Sequence, residues 1–307
     1  MKRIFVLVLF AWSLLIALQA QELVFQDKDG IVRWKKDNQE VALFGANYCL
    51  PSSCDYRAAG YVNADRKAMV REDMDHFKRM GWDALRVCFW GDFQNSDPDG
   101  HLIDNDHLNM MDYLIAEASK RGIYMLFSPI VTYDSQFPEM NDNSNTGYAK
   151  LFAKNTLIHD EKAIKCQINY MTDILNHINR YTGRCIKDEP NIIYVEIINE
   201  PTQFPNDIPG MVKYINRMCK AIKDTGCKKL IYYNLSQNFD VAPAIQKSMV
   251  DGATYAWYPQ ALNNGHRFMD NGLHFVDRYE PLVEDGLKGK SRLVYEFDAT
   301  DTENGYL

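Results

Sequence analysis

The chain has 307 residues, 46% of them apolar and 12% aromatic, with 24% charged residues and a net charge of −7. That is enough apolar material for a sizeable core, and the length fits one large α/β barrel or two medium domains. There is no long run of one sign and no basic patch, so no nucleic-acid partner is expected, while an acidic surface accommodates a neutral substrate such as a sugar chain.

The first twenty residues differ from the rest. Lys2 and Arg3 precede an uncharged apolar run from Ile4 to Leu18, and Ala20 offers a small residue for cleavage. The pattern is that of a secretory signal peptide over 1–20, and the run is short for a membrane span. It predicts a secreted or periplasmic protein with no membrane span once the signal is removed. Residues 21–40 are polar and mixed, and read as an N-terminal hairpin or cap. A main domain is expected over 41–307.

From Val41 onward strand-like and helical segments alternate. Val41–Tyr48 reads as a strand, and Arg66–Met80 carries Val70, Met74 and Phe77 at helical spacing. Ala84–Trp90 is strand-like. Leu108, Met111, Ile115 and Ala118 mark a helix that stops at Gly122, and Ile123–Val131 is the next strand. A long polar connection, 132–160, follows. Ile164, Ile168, Met171, Leu175 and Ile178 mark a helix, Ile192–Ile198 a strand, and Val212, Ile215, Cys219 and Ile222 a helix stopping at Gly226. Leu230–Leu235, Ala253–Tyr258 and Arg292–Phe297 complete the strand-like runs. The strands are short, nearly continuous apolar stretches, while the helices keep a period of about 3.6 residues. This contrast predicts a parallel sheet covered by helices on its faces. No G-x-G-x-x-G follows the first strand, which disfavours a doubly wound nucleotide-binding fold. The fold class expected is α/β, a (β/α)₈ TIM barrel. Seven strands are counted where a closed barrel has eight, so the barrel is read as ending before its eighth strand.

Cysteine usage is uninformative about metals. The seven cysteines follow no zinc spacing, and neither a metal nor a cofactor is expected. Cys49 and Cys54 are close enough in sequence to pair in an oxidising compartment, and Cys88, inside an apolar strand, reads as a buried free thiol.

Two strands end in a carboxylate. Ile192–Glu196 runs on into Ile197-Ile198-Asn199-Glu200-Pro201, and Leu293-Val294-Tyr295 ends at Glu296-Phe297. Carboxylates at the C-terminal ends of barrel strands are placed for chemistry. Two of them facing one another across the mouth satisfy a double displacement at a sugar: one protonates the leaving oxygen and the other attacks the anomeric carbon. Such a pair lies about 5–5.5 Å apart in retaining enzymes. Glu196, inside its strand, reads instead as the partner of a buried basic group. Trp90 and Trp257 sit at strand ends where a ring can stack on a sugar, and Asn47 ends the first strand. Ser128 and Ser236 lack the G-x-S-x-G turn of a serine hydrolase.

On these motifs the chain resembles the clan A glycoside hydrolases, and most of all glycoside hydrolase family 5, the cellulase family, over about residues 40–300. The resemblance implies Glu200 as acid/base and Glu296 as nucleophile. It also implies that Arg86 in Leu85-Arg86-Val87 supports the nucleophile, that Asn199 contacts the 2-hydroxyl, and that Tyr258 in Trp257-Tyr258-Pro259 touches the nucleophile. Ala256, Asp298 and Phe127-Ser128-Pro129 depart from residues frequent in that family, which leaves the β-galactosidase-like and β-mannanase-like branches of the clan open, with a glucan or a mannan as the substrate class. The function expected is a retaining hydrolase of a β-linked oligo- or polysaccharide. The alternative is a glycan-binding protein that keeps the cleft without turnover.

Overall fold

The computed structural model describes residues 23–49, 65–132, 147–257 and 281–297, apart from 282. Two short strands, β1 (Val24–Gln26) and β2 (Val32–Trp34), pair antiparallel. Seven strands then form one sheet in sequence order: β3 (Gly45–Cys49), β4 (Ala84–Cys88), β5 (Tyr124–Ser128), β6 (Ile192–Glu196), β7 (Leu230–Asn234), β8 (Gly252–Trp257) and β9 (Ser291–Phe297). Every neighbouring pair is parallel. The sheet curls until its first and last strands approach. Phe44, just before β3, and Phe297, ending β9, have ring centroids 6.2 Å apart. This is a (β/α)₈-type barrel, of which the described residues supply seven strands. The expectation about an eighth strand falls on residues 298–307, outside the described residues.

The longer helices are α1 (Arg66–Arg79), α3 (Asp106–Lys120), α4 (Glu161–Asn176) and α5 (Ile208–Asp224), with a four-residue α2 (Gly91–Gln94) and a short α6 (Ala242–Gln246) between strands. Each long helix starts at an Asp or Asn whose side chain accepts from the first free backbone N–H groups: Asp65, Asn105, Asp160 and Asp207. Such a cap contributes about 1 kcal/mol. The apolar faces of the helices pack on the outer faces of the strands in the main core.

A second apolar cluster fills the barrel interior. It contains Leu126, Tyr194, Tyr232, Ala256 and Tyr295, and the β1–β2 hairpin joins it through Val32. Tyr194 and Tyr232 meet edge to face at 5.2 Å, and Trp34 tilts against Tyr124, the first residue of β5, at 4.8 Å. The hairpin therefore covers the end of the barrel where the strands begin. Gln26 on the hairpin donates to the carbonyl of Gly289, just ahead of β9, at 3.2 Å.

Several strands end earlier than their apolar runs. β5 stops at Ser128 because Pro129 has no N–H to continue the ladder. β4 stops at Cys88, and Trp90 is left-handed at φ 52°. The helix read through Ile178 closes at Asn176. His177 is already extended, and Ile178 is 61% exposed rather than on the buried face. In the connection after β5, residues 133–146 lie outside the described residues, but Tyr148 and Ala149 are buried in short 3₁₀ turns. Cys88 is a buried thiol, whereas a Cys49–Cys54 bridge falls outside the described residues. Among the described residues no helix is long and apolar enough to cross a membrane; the segment 1–20 is not among them.

Candidate active site

Parallel neighbours share a face of the sheet, so the interior of the barrel can be read strand by strand. Tyr194 faces inward, and Glu196, two residues on, does too. Arg86 on β4, Ser128 on β5, Asn234 on β7 and Thr254 on β8 converge on it. Glu196 is fully buried and accepts from Arg86 Nη2 at 2.6 Å and from Asn234 Nδ2 at 3.0 Å. Ser128 Oγ and Thr254 Oγ1 also donate to its carboxylate, the latter at 2.5 Å. A buried charge persists only when paired and hydrogen-bonded in this way. Glu196 is thus the partner of a buried cation, as its place inside the strand predicts.

Arg86 organises the next layer. It is 5% exposed and also donates to Asn47 Oδ1 at 3.2 Å and to Asn199 Oδ1. The Tyr295 ring covers its guanidinium at 4.3 Å, within cation–π range. Burial works against its charge, but Glu196 and the other acidic groups around it more than offset that, and its pKa lies well above the ordinary value. Its Nε is buried with no hydrogen-bond partner among the described residues. Asn199 is 1% exposed, and its backbone N–H donates to Ile130 O at 2.8 Å. Asn47, Arg86 and Asn199 are therefore one connected group.

Glu200 follows directly, half-buried, with a left-handed backbone at φ 41°. Its Oε1 accepts from Tyr295 Oη at 2.5 Å. Burial above all, and then the charge of Glu200, hold the Tyr295 phenol far above its ordinary pKa, with Glu296 adding to the effect. Tyr295 is therefore a hydrogen-bond donor to Glu200.

The placement of Glu296 depends on an irregularity. Along β8 and β9 Tyr255 pairs with Val294, but Ala256 pairs with Glu296, leaving Tyr295 as an extra residue. In an unbroken strand Tyr295 and Glu296 point to opposite faces. The bulge lets Tyr295 remain buried in the interior cluster while Glu296 lies beside inward-facing Ala256. Glu296 lines a cavity of about 350 Å³ together with Asn47, Arg86, Tyr194, Tyr295 and Phe297. The cavity opens where β3 and β9 face each other.

Other residues read from the sequence fall differently. Trp90 is 4% exposed within the main core, so its ring has packing partners where a sugar platform needs an open face. Trp257 ends β8, and its side chain, like all of Tyr258, lies outside the described residues. Sequence reasoning missed Tyr295, Asn234 and Thr254. The last two are polar residues two positions from an inward residue on a buried strand, a signal that period-2 counting detects. Tyr295 shares the inward face of Leu293, but taking Glu296 as the inward residue assigns its neighbour to the opposite face, and only the bulge allows both.

The sequence profile of Cellulase (glycosyl hydrolase family 5) matches residues 34–269. A putative mannan endo-1,4-beta-mannosidase 9 of Oryza sativa subsp. japonica is 24% identical over 233 residues, covering 67% of this chain and 55% of that protein. Mannan endo-1,4-beta-mannosidase 4 of the same plant is 26% identical over 130 residues, 39% of this chain and 27% of that protein. The chain thus spans 27% to 55% of the length of these relatives. Among solved structures, the endo-1,4-beta-mannanase of Rhizomucor miehei superposes with a TM-score of 0.65 at 16% identity, over 90% of this chain and 82% of that one. The endo-beta-1,4-mannanase of Thermotoga petrophila gives 0.64 at 17% identity, over 85% and 62%. At these identities the structures establish the fold.

Proposed function

The chain belongs to the cellulase family, glycosyl hydrolase family 5, and from that premise we propose that it is a retaining glycosidase acting on a β-linked polysaccharide, with β-1,4-mannan the first substrate to test. The observation that carries the reading is Tyr295. It bonds Glu200, which follows β6, and is the chain neighbour of Glu296 in β9, and this supports reading the two carboxylates as a pair. In the first step Glu296 attacks the anomeric carbon while Glu200 protonates the departing glycosidic oxygen. In the second Glu200 takes a proton from water, which releases the sugar with its configuration retained. Arg86 supplies a fixed positive wall to the pocket; Asn199, bonded to it, is the group proposed to meet a sugar hydroxyl. The choice of mannan rests on the curated relatives, both named as mannan endo-1,4-beta-mannosidases. Export from the cytoplasm, on the Lys2-Arg3 head and the apolar run after it, belongs to the same proposal, as does a division into signal 1–20, cap 21–40 and barrel 41–307.

The test uses the full chain and its Glu296→Ala variant on aryl β-mannosides, β-glucosides and β-cellobiosides and on mannan. Wild-type turnover, its loss by at least about 10³-fold in the variant, and partial recovery with azide are expected. Glycan binding without turnover on any of these substrates overturns the enzyme reading in favour of a binding protein.

A further inference from the structure

We propose that Thr132, held in place by Asp92, is a positioning residue that aims the Glu200 carboxylate; this rests on the reading of Glu200 as acid/base. Thr132 leaves β5 with φ 75°, a left-handed backbone that a β-branched side chain avoids. The fold imposes it from outside. Asp92 in α2 is fully buried and accepts from the N–H of both Val131, at 3.1 Å, and Thr132, at 2.9 Å. Successive N–H groups converging on one anion form a rigid nest. α2 itself is wedged. A Cβ on Gly91 would lie 1.5 Å from the Tyr170 hydroxyl, which donates to Asn95 Oδ1 at 2.8 Å.

So fixed, Thr132 turns its hydroxyl across to the end of the neighbouring strand. Oγ1 lies 3.1 Å from Asn199 O and 3.4 Å from Glu200 O. The Asn199 N–H is already tied to Ile130 O at 2.8 Å. The exit of β5 therefore grips the Asn199–Glu200 peptides from two sides, at a residue whose own φ is 41°. A carboxylate carried on such a torsion swings when the torsion relaxes. A displacement of about 1 Å at a reacting group costs about 10²-fold in rate. The strain at Thr132 thus serves the acid/base and not the loop that follows it.

The distinguishing readout is leaving-group dependence. Proton donation matters for a poor leaving group and hardly at all for a good one. kcat/KM, which reports the first step, is measured for phenyl and 2,4-dinitrophenyl β-glycosides of the sugar that the wild type hydrolyses. Thr132→Val removes the hydroxyl at nearly equal volume, Thr132→Ser restores it, and Thr132→Gly removes it while relieving the backbone. Thr132→Val and Thr132→Gly are expected to lose about 10–100-fold on the phenyl substrate and under about 3-fold on the dinitrophenyl one. Thr132→Ser is expected to stay within about 3-fold of wild type on both. Thr132→Gly, which relieves the positive φ, is expected to keep or raise the melting temperature, so that lost activity is not lost folding, and it carries the comparison if Thr132→Val fails to fold. Equal losses on both substrates, no loss, or no recovery with serine overturn the proposal. Glu200→Ala is the control. If it shows the leaving-group signature with azide recovery while the Thr132 variants do not, Thr132 alone is misassigned. If it shows none, the reading of Glu200 falls, and the proposal with it.

Discussion

The two ends of the barrel treat left-handed backbone in opposite ways. Where helices return to strands, the residues with positive φ include Gly81, Gly122 and Gly226, and a Cβ built on any of them meets nothing within 4 Å. Where strands lead out, the residues with positive φ among those described include Trp90, Thr132, Glu200 and Ser236, each carrying a full side chain. Glycine adopts this conformation without steric cost, whereas other residues incur about 1–2 kcal/mol. One end is built for stability. The other accepts strain to hold particular side chains where chemistry is proposed, the usual division of labour in this fold.

The largest effect expected from breaking this division is at Arg86. Arg86→Met leaves Glu196 buried without its cation and should destabilise the protein by about 3–5 kcal/mol, read from urea unfolding. A loss under about 1 kcal/mol would mean that Ser128, Asn234 and Thr254 hold Glu196 without the cation.

The quiet end also holds buried charge. Lys229, just ahead of β7, is buried and bonded to Glu189 O at 2.7 Å, and burial lowers its pKa from 10.5 to about 8. Over the window from about 8 to 10.5 the unfolded chain holds more protons than the folded one, so this group's contribution to stability rises with pH. The rise amounts to at most about 3 kcal/mol. Lys229→Met should be more stable than wild type at pH 7, with the advantage shrinking as pH increases through that window. An advantage constant with pH would show that Lys229 does not titrate there.

Gly226→Ala, at φ 86° with open space around it, isolates the backbone term: about 1–2 kcal/mol lost in urea unfolding, with kcat/KM unchanged. A fall in kcat/KM would show that the two ends are coupled. The smallest effect belongs to Asp160→Ala, which removes the cap accepting from Lys162 N and Ala163 N at 2.8 and 2.9 Å. It should cost about 1 kcal/mol by the same measurement.

Much of this architecture was legible in the sequence. The order of strands and helices followed from apolar runs alternating with 3.6-residue periodicity, because a strand buried on both faces has no polar side to show. The buried pairing of Glu196 followed from its place two residues inside a strand end. What could not be read depended on backbone exceptions. The bulge that turns Tyr295 and Glu296 to a common side adds one residue to β9 without a glycine or proline to announce it. Thr132 looked like the first residue of a polar loop, since nothing local predicts that a threonine will be left-handed; its restraint comes from Asp92, forty positions earlier. Ile178 prolonged a helical pattern past the helix end because one apolar residue in register carries no information about the cap before it.

The hairpin beneath the barrel has a consequence for the order of events during synthesis. Its strands emerge from the ribosome ahead of the sheet they cover, yet Gln26 waits for Gly289, 263 residues later. Until β9 has been made, the apolar side of the hairpin has an incomplete surface to close on. Closing so distant a contact is slow and exposes apolar surface in the meantime. The hairpin, made before the sheet it covers, is the last to be sealed, so completion of the barrel floor reports that the chain through β9 has folded.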